Sequence, residues 1–252
     1  MFKEQTLTYP PLNTLDLVSE GVWIVNGPAV RFGPPLLRMP FSTRMSIIKL
    51  AGGIFIHSPT LLVPSLKAEI DKIGTVKWII APNRLHYTWV QNWAEAFPAA
   101  CVYLAPGIEK QARGRISISG LSLNKDCGYP WDGEIATLPI ASSYMTEVEF
   151  FHHASRTLIL TDLIENFEPN KLDSFAMRLL TYIGGAQDPS GSMPRDMRMT
   201  FARRKPYLRS AIEKMISWNP DRIILAHGRW YQKDGTLELE RAFDWLGQFH
   251  KP

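Results

Sequence analysis

Between residues 54 and 104, short apolar runs alternate with stretches of helical spacing, and this alternation constrains the fold more than any other feature of the chain. Ile54–Ile56, Val76–Ile80 and Cys101–Leu104 are strand-like runs. Between the first two, Pro64 suits a first helical position, Leu66, Ile70 and Ile73 fall on one helix face, and Gly74 stops the helix. Between the second and third, Trp89, Trp93 and Phe97 recur at four-residue steps. Strand, helix, strand, helix, strand in that order is the pattern of a βαβ-type sheet. Upstream, Gly21–Val25 and Met45–Ile56, broken tightly at Gly52-Gly53, read as antiparallel strands.

The middle of the chain follows a different logic. Gly133–Pro139, Glu147–Phe151 and Arg156–Thr161 read as strands, with only His152–Ser155 between the last two. So short a link makes a hairpin, because a parallel crossover needs a dozen residues or more. Helices are expected over Lys171–Ile183 and Pro206–Trp218, a loop rich in Gly, Pro and Ser over Gly184–Pro194, a strand over Ile223–Ala226, and a closing amphipathic helix over Leu237–Phe249. Two strand-rich halves, each with helices, predict an α/β four-layer αββα sandwich. A plain doubly wound sheet is the alternative, and the hairpin counts against it. With 252 residues and 45% hydrophobic content, residues 1–252 are read as a single domain with a sizeable core.

The net charge of +4 is mild and argues against a dedicated nucleic-acid binder, while leaving room for an anionic small-molecule partner. Cys101 and Cys127 show no metal-site spacing, and two cysteines in this length do not make a disulfide scaffold. Met1–Pro10 has no apolar core of the secretory type, and no apolar stretch approaches a membrane span. The expectation is a cytoplasmic protein without a membrane partner.

Three segments share one shape, an apolar strand that ends in polar or ionisable side chains. They are Trp78–Tyr87 with Asn83, His86 and Tyr87, Leu158–Asp162, and Ile223–Gly228 with His227. Strands of one sheet region that end at a common edge bring their exit residues together, where α/β proteins place sites. Two imidazoles and a carboxylate suit a divalent metal such as zinc. Each residue also has a structural reading: Asp162 capping its turn, His227 bonding loop backbone, His86 a polar helix-edge residue. His152-His153 reads as a solvated turn. The basic stretch Arg195–Arg209 reads as a solvated helix approach or as an anion clamp. Trp230 is the tryptophan expected to line a pocket.

These residues carry a family resemblance. The stretches GGIFIHSP, IIAPNRLHYTWVQNWAEAFPAACVYLAPG, VEFFHHASRTLILTDLIEN and ILAHG resemble the metallo-β-lactamase superfamily, and within it the uncharacterised domain of unknown function 4336 family. The resemblance implies a His-x-His-x-Asp-His run of metal ligands, for which Pro82–Tyr87 stands here. Aligned end to end, His86 and Tyr87 take the terminal Asp-His places. Shifted by one, His86 takes the last histidine's place and Asn83 that of the second. Either way at least two histidines are absent. The next histidine's loop is Ala141-Ser142-Ser143-Tyr144, Ser58 stands where many relatives carry a structural aspartate, and Asp162 and His227 match the bridging aspartate and last histidine. The implied site is reduced. It holds one zinc or similar ion on His86, Asp162 and His227, or none, with His86 as general base beside Asp162. Asn83, Tyr87, Ser58, Ser143 and Trp230 are expected around it. A metal-dependent hydrolase and a non-catalytic descendant that binds a small molecule or partner protein both follow from this set.

Overall fold

The computed structural model of the chain describes residues 7–32 and 39–249; the first six residues of the polar N-terminal stretch lie outside them. Two sheets form the centre. The larger holds β1 (Asp16–Ser19), β2 (Val22–Phe32), β3 (Met39–Leu50), β4 (Gly53–His57), β5 (Val76–Ala81), β6 (Cys101–Leu104) and β7 (Leu121–Ser122), side by side in chain order. The pairings are antiparallel through β4 and parallel from β4 to β7. The smaller sheet runs β11 (Arg222–Leu225), β10 (Thr157–Leu160), β9 (Thr146–His152), β8 (Ile135–Ala141), with β10 and β11 parallel and the rest antiparallel.

Side-chain alternation shows how the layers stack. Val148, Phe150, Ile159 and Ile224 join the core shared with the larger sheet, whereas Phe151, Leu158, Leu160, Ile223 and Leu225 join a second core. Both faces of these strands are therefore buried, which is why they read as unbroken apolar runs. Helices α1 (Pro64–Ile73), α2 (Val90–Ala96) and α3 (Ile108–Ala112) contribute Leu66, Ile70, Val90, Trp93 and Ile108 to the first core. Helix α4 (Phe175–Gly184) and the short α5 (Arg195–Thr200) follow β10 in the chain. Helices α6 (Lys205–Ser217) and α7 (Gly235–Ala242) close the second core with Leu208, Ile212, Met215 and Leu239. The order helix, sheet, sheet, helix is the αββα sandwich. No helix of the described residues is long and apolar enough to cross a membrane.

The structure corrects several expectations. The β2–β3 hairpin is longer than the apolar pattern indicated, because Gly27-Pro28 interrupts the run with a register shift that the ladder survives. Helix α4 begins at Phe175 rather than at 171: Pro169–Lys171 is a separate 3₁₀ turn, and Leu172 leaves it extended to dock in a small core with Leu7, Phe167 and Ala186. The closing helix stops at Ala242, before a 3₁₀ turn over Asp244–Leu246. His152 is not solvated; it ends β9 buried, with Nδ1 2.8 Å from Ser155 Oγ, and only His153 is exposed.

Candidate metal centre

Three loops at one end of the sandwich carry the site, and they leave two different sheets: β5 in the larger, β10 and β11 in the smaller. The edge is thus shared between the sheets, not confined to one. His86 Nε2 lies 3.3 Å from Asp162 Oδ2, His227 Nε2 lies 3.2 Å from Asp162 Oδ1, and the two Nε2 atoms are 3.2 Å apart. One ligand atom from each residue falls within 4.8 Å of the others, with Asp162 and His227 buried and His86 partly so.

The far side of each ring is held. His227 Nδ1 is 2.6 Å from the Ser42 carbonyl, which can only accept, so Nδ1 carries a proton and donates it. In the neutral imidazole, Nε2 then presents a lone pair toward a carboxylate oxygen and another ring nitrogen. Such an arrangement needs a cation, either a proton or a metal ion, and the donor set therefore fits a divalent metal. Burial pulls His227 down, but the hydrogen bond and charge of Asp162 outweigh it and raise His227 above the usual histidine value. Burial likewise pushes Asp162 up, and the two histidines more than reverse this, holding its carboxyl below the ordinary range. His86 Nδ1 lies 2.6 Å from Ser58 Oγ. Ser58 has a positive φ of 52°, a conformation that side chains other than glycine rarely adopt.

Asn83 is fully buried and spends its whole amide on positioning. Nδ2 donates to Asp162 Oδ2 at 2.6 Å and Thr161 Oγ1 at 2.9 Å, while Oδ1 accepts from the backbone N–H groups of Leu85 and His86. It ties the His86 loop to the Asp162 loop. Beneath them Glu147 Oε1 accepts from the Thr161, Asp162 and Leu163 N–H groups and from Thr161 Oγ1. Burial first, and the Asp162 charge next, push Glu147 up to about 7. Gly228 follows His227 at φ +78°, and a Cβ there would lie 2.1 Å from the Asn166 carbonyl oxygen, so no larger residue fits.

A cavity of about 700 Å³ opens over the triad, within the usual range for small-molecule sites. Ser58, His86, Asp162 and His227 lie on its wall. Tyr87 turns into the first core, Asn83 lies behind the triad, and Ser143 is exposed on a turn whose neighbours Tyr144 and Met145 reach the wall instead. Trp230, expected in the pocket, sits partly buried against both cores and not on the wall. His86 reaches the cluster, while Tyr87 and Asn83 do not join it. The basic stretch forms no buried clamp. Arg198 donates to the Met193 carbonyl and Ser192 Oγ, Arg204 to the Ala141 carbonyl, and Arg209 to the Leu246 and Gln248 carbonyls.

Strand β3 supplies residues that the sequence did not flag. Arg44 is buried, donating from Nη1 to the carbonyls of Leu225 and Gly228 at 2.5 and 2.9 Å, and from Nε to Asn26 Oδ1. With the Ser42 carbonyl on Nδ1 and Ser42 Oγ on the Gly228 N–H, this strand grips His227 from both flanks. Their only sequence signal is a short polar run, Ser42-Thr43-Arg44, inside a strand.

No curated protein matches the chain. Solved structures do. A metallo-β-lactamase from Pontibacter korlensis is 11% identical, with 92% of this chain and 97% of that chain covered and a TM-score of 0.59. The metallo-β-lactamase FIM-1 from Pseudomonas aeruginosa, solved in its mono-zinc form, is 10% identical over 92% and 94%, also at 0.59. A metallo-β-lactamase from Hirschia baltica is 12% identical over 94% and 98%, at 0.56. At such identities the likeness establishes the fold alone, a metallo-β-lactamase-like αββα sandwich. The profile of one sequence family matches residues 35–198, well over half of the chain, and the chain therefore belongs to that family, described as Domain of unknown function (DUF4336).

Proposed function

We propose that the chain is a hydrolase working with a single divalent metal ion, zinc or a similar one, held by His86, Asp162 and His227. The observation that carries this reading is the convergence of both Nε2 atoms on the Asp162 carboxylate, with the far nitrogen of each ring tied to a second group. Two imidazoles and one carboxylate match the three protein ligands of catalytic zinc sites, which keep a fourth position open. A bound ion of this kind makes water a nucleophile near neutral pH and polarises a carbonyl. Among the chain's own residues, Asn83 and Glu147 hold the Asp162 loop, Ser42 fixes the tautomer of His227, and the Ser58 hydroxyl orients the His86 ring. The mono-zinc form of FIM-1 is a precedent for one zinc in this fold. No second group of three ligands is found among the described residues, which favours one ion over two.

Elemental analysis of protein purified without added metal, followed by titration with cobalt(II), tests the reading. We expect at most one ion per chain, lost in Asp162→Ala and in His227→Ala. Two tightly held ions would refute the reduced site. No uptake at any pH or concentration would leave the non-catalytic descendant, a binder of a small molecule or partner protein, as the better account.

A further inference from the structure

We propose that the cavity over the triad is a site for an uncharged amphiphile, an aliphatic or aromatic acyl chain lying along the cavity with its ester carbonyl at His86, Asp162 and His227. The inference deepens the hydrolase reading by naming its substrate class, and it rests on that reading for the chemistry at the head. The wall is mostly apolar. Phe41, Met145, Phe167, Leu180, Ile183 and Met197 come from β3, the turn before β9, the segment after β10, α4 and α5, so apolar groups surround the space from several elements.

At helix α4 the wall reaches exposed apolar side chains. Helix α4 buries only Thr181, while Leu179, Leu180, Tyr182 and Ile183 are 46%, 55%, 72% and 52% exposed. Exposed apolar side chains this dense are unusual for a ten-residue helix, and two of them, Leu180 and Ile183, are themselves wall residues. A chain leaving the triad can run along these apolar side chains toward the surface.

Charge argues the same way. The ionisable groups on the described wall are His86, Tyr144, Asp162, Glu165, Arg195, Asp196 and His227. Arg195 and Asp196 are both exposed, adjacent and opposite in sign. No lysine or arginine other than the exposed Arg195 stands on the described wall, so away from the triad the lining favours an uncharged chain. In the reaction implied, a water oxygen bonds to the acyl carbon, the carbon–oxygen bond to the alcohol breaks, and the water's proton ends on the departing alcohol, leaving a carboxylic acid.

Displacement of the neutral dye Nile red from metal-free protein by methyl esters, from butanoate to dodecanoate, tests the site. We expect affinity to rise roughly fourfold for each added methylene until the cavity is filled. Leu180→Asp and Ile183→Asp alter exposed positions; each should weaken binding of methyl dodecanoate at least tenfold without changing the melting temperature or zinc uptake. A series flat in chain length, or phenyl phosphate displacing the dye better than methyl dodecanoate, overturns the proposal. Zinc content measured on the same preparations separates the two readings: uptake with a flat series sinks the chain site alone, and a steep series without uptake sinks the hydrolase alone.

Discussion

Glu149 is fully buried, neither of its oxygens finds a hydrogen-bond partner, and the charges of Glu147 and Asp162 act on it. Burial, and then the Glu147 charge, push its carboxyl well above the ordinary value of 4.5. In the unfolded chain the group ionises near 4.5, while in the fold it stays protonated to much higher pH. The unfolded state then binds fewer protons, so stability falls as pH rises above 4.5, by up to about 1.4 kcal/mol per unit. Glu149→Gln removes this term. Urea midpoints at pH 5 and pH 8 should show the wild type losing more stability over that interval than the variant; parallel profiles would contradict the buried acid. His227 is raised as well, so its effect on the fold has the same sign, stability being lost as pH rises through its folded value, but its effect on metal uptake runs the other way. Its raised value means that protons compete with the metal for Nε2 more strongly than at an ordinary histidine. Cobalt affinity should therefore fall about tenfold per pH unit on the acid side, one proton being displaced per ion bound.

At the scale of the element, β3 is the strand on which the site depends. Arg44→Met leaves the Leu225 and Gly228 carbonyls without their buried donor, at about 1–3 kcal/mol each. The same change frees the loop carrying His227, and metal affinity should drop about 10- to 100-fold. Arg44→Lys, which keeps the charge but not the fork, should recover part of both. Chemical denaturation and metal titration read the two effects separately, and a variant that loses stability but binds metal unchanged would show that Arg44 serves the fold alone. The triad itself was legible because each member stands where an apolar run ends, a local pattern in the chain. Arg44 was not, because its partners lie 181 and 184 residues away and nothing local marks the pairing. Trp230 misled for a related reason: closeness to His227 in sequence does not decide which way a ring turns where both sides are apolar. The hairpin between β9 and β10 was legible from the shortness of its link, expected at His152–Ser155 and found one residue later, whereas the reach of β2 past Gly27-Pro28 was hidden by residues that usually end strands.

Across the whole molecule the two sheets share one core, centred on Trp131, which packs on Phe55, Trp78, Tyr103 and Tyr129 with ring centroids 4.7–5.9 Å apart. Its indole N–H donates to Thr137 Oγ1 on the smaller sheet. Trp131→Ala should cost about 3–5 kcal/mol, and because both sheets lose contacts, calorimetry should still show a single transition with matching calorimetric and van't Hoff enthalpies. Two resolved transitions would mean that the sheets unfold as separate units. His86 leaves the larger sheet, while Asp162 and His227 leave the smaller one. An ion held by all three is a rivet through both halves of the sandwich, and unfolding must remove it first. Occupancy then becomes readable as heat resistance. At a hundredfold excess of free ion over its dissociation constant the folded state gains about 2.7 kcal/mol, so a melting curve can report the loading of this centre before any substrate is known.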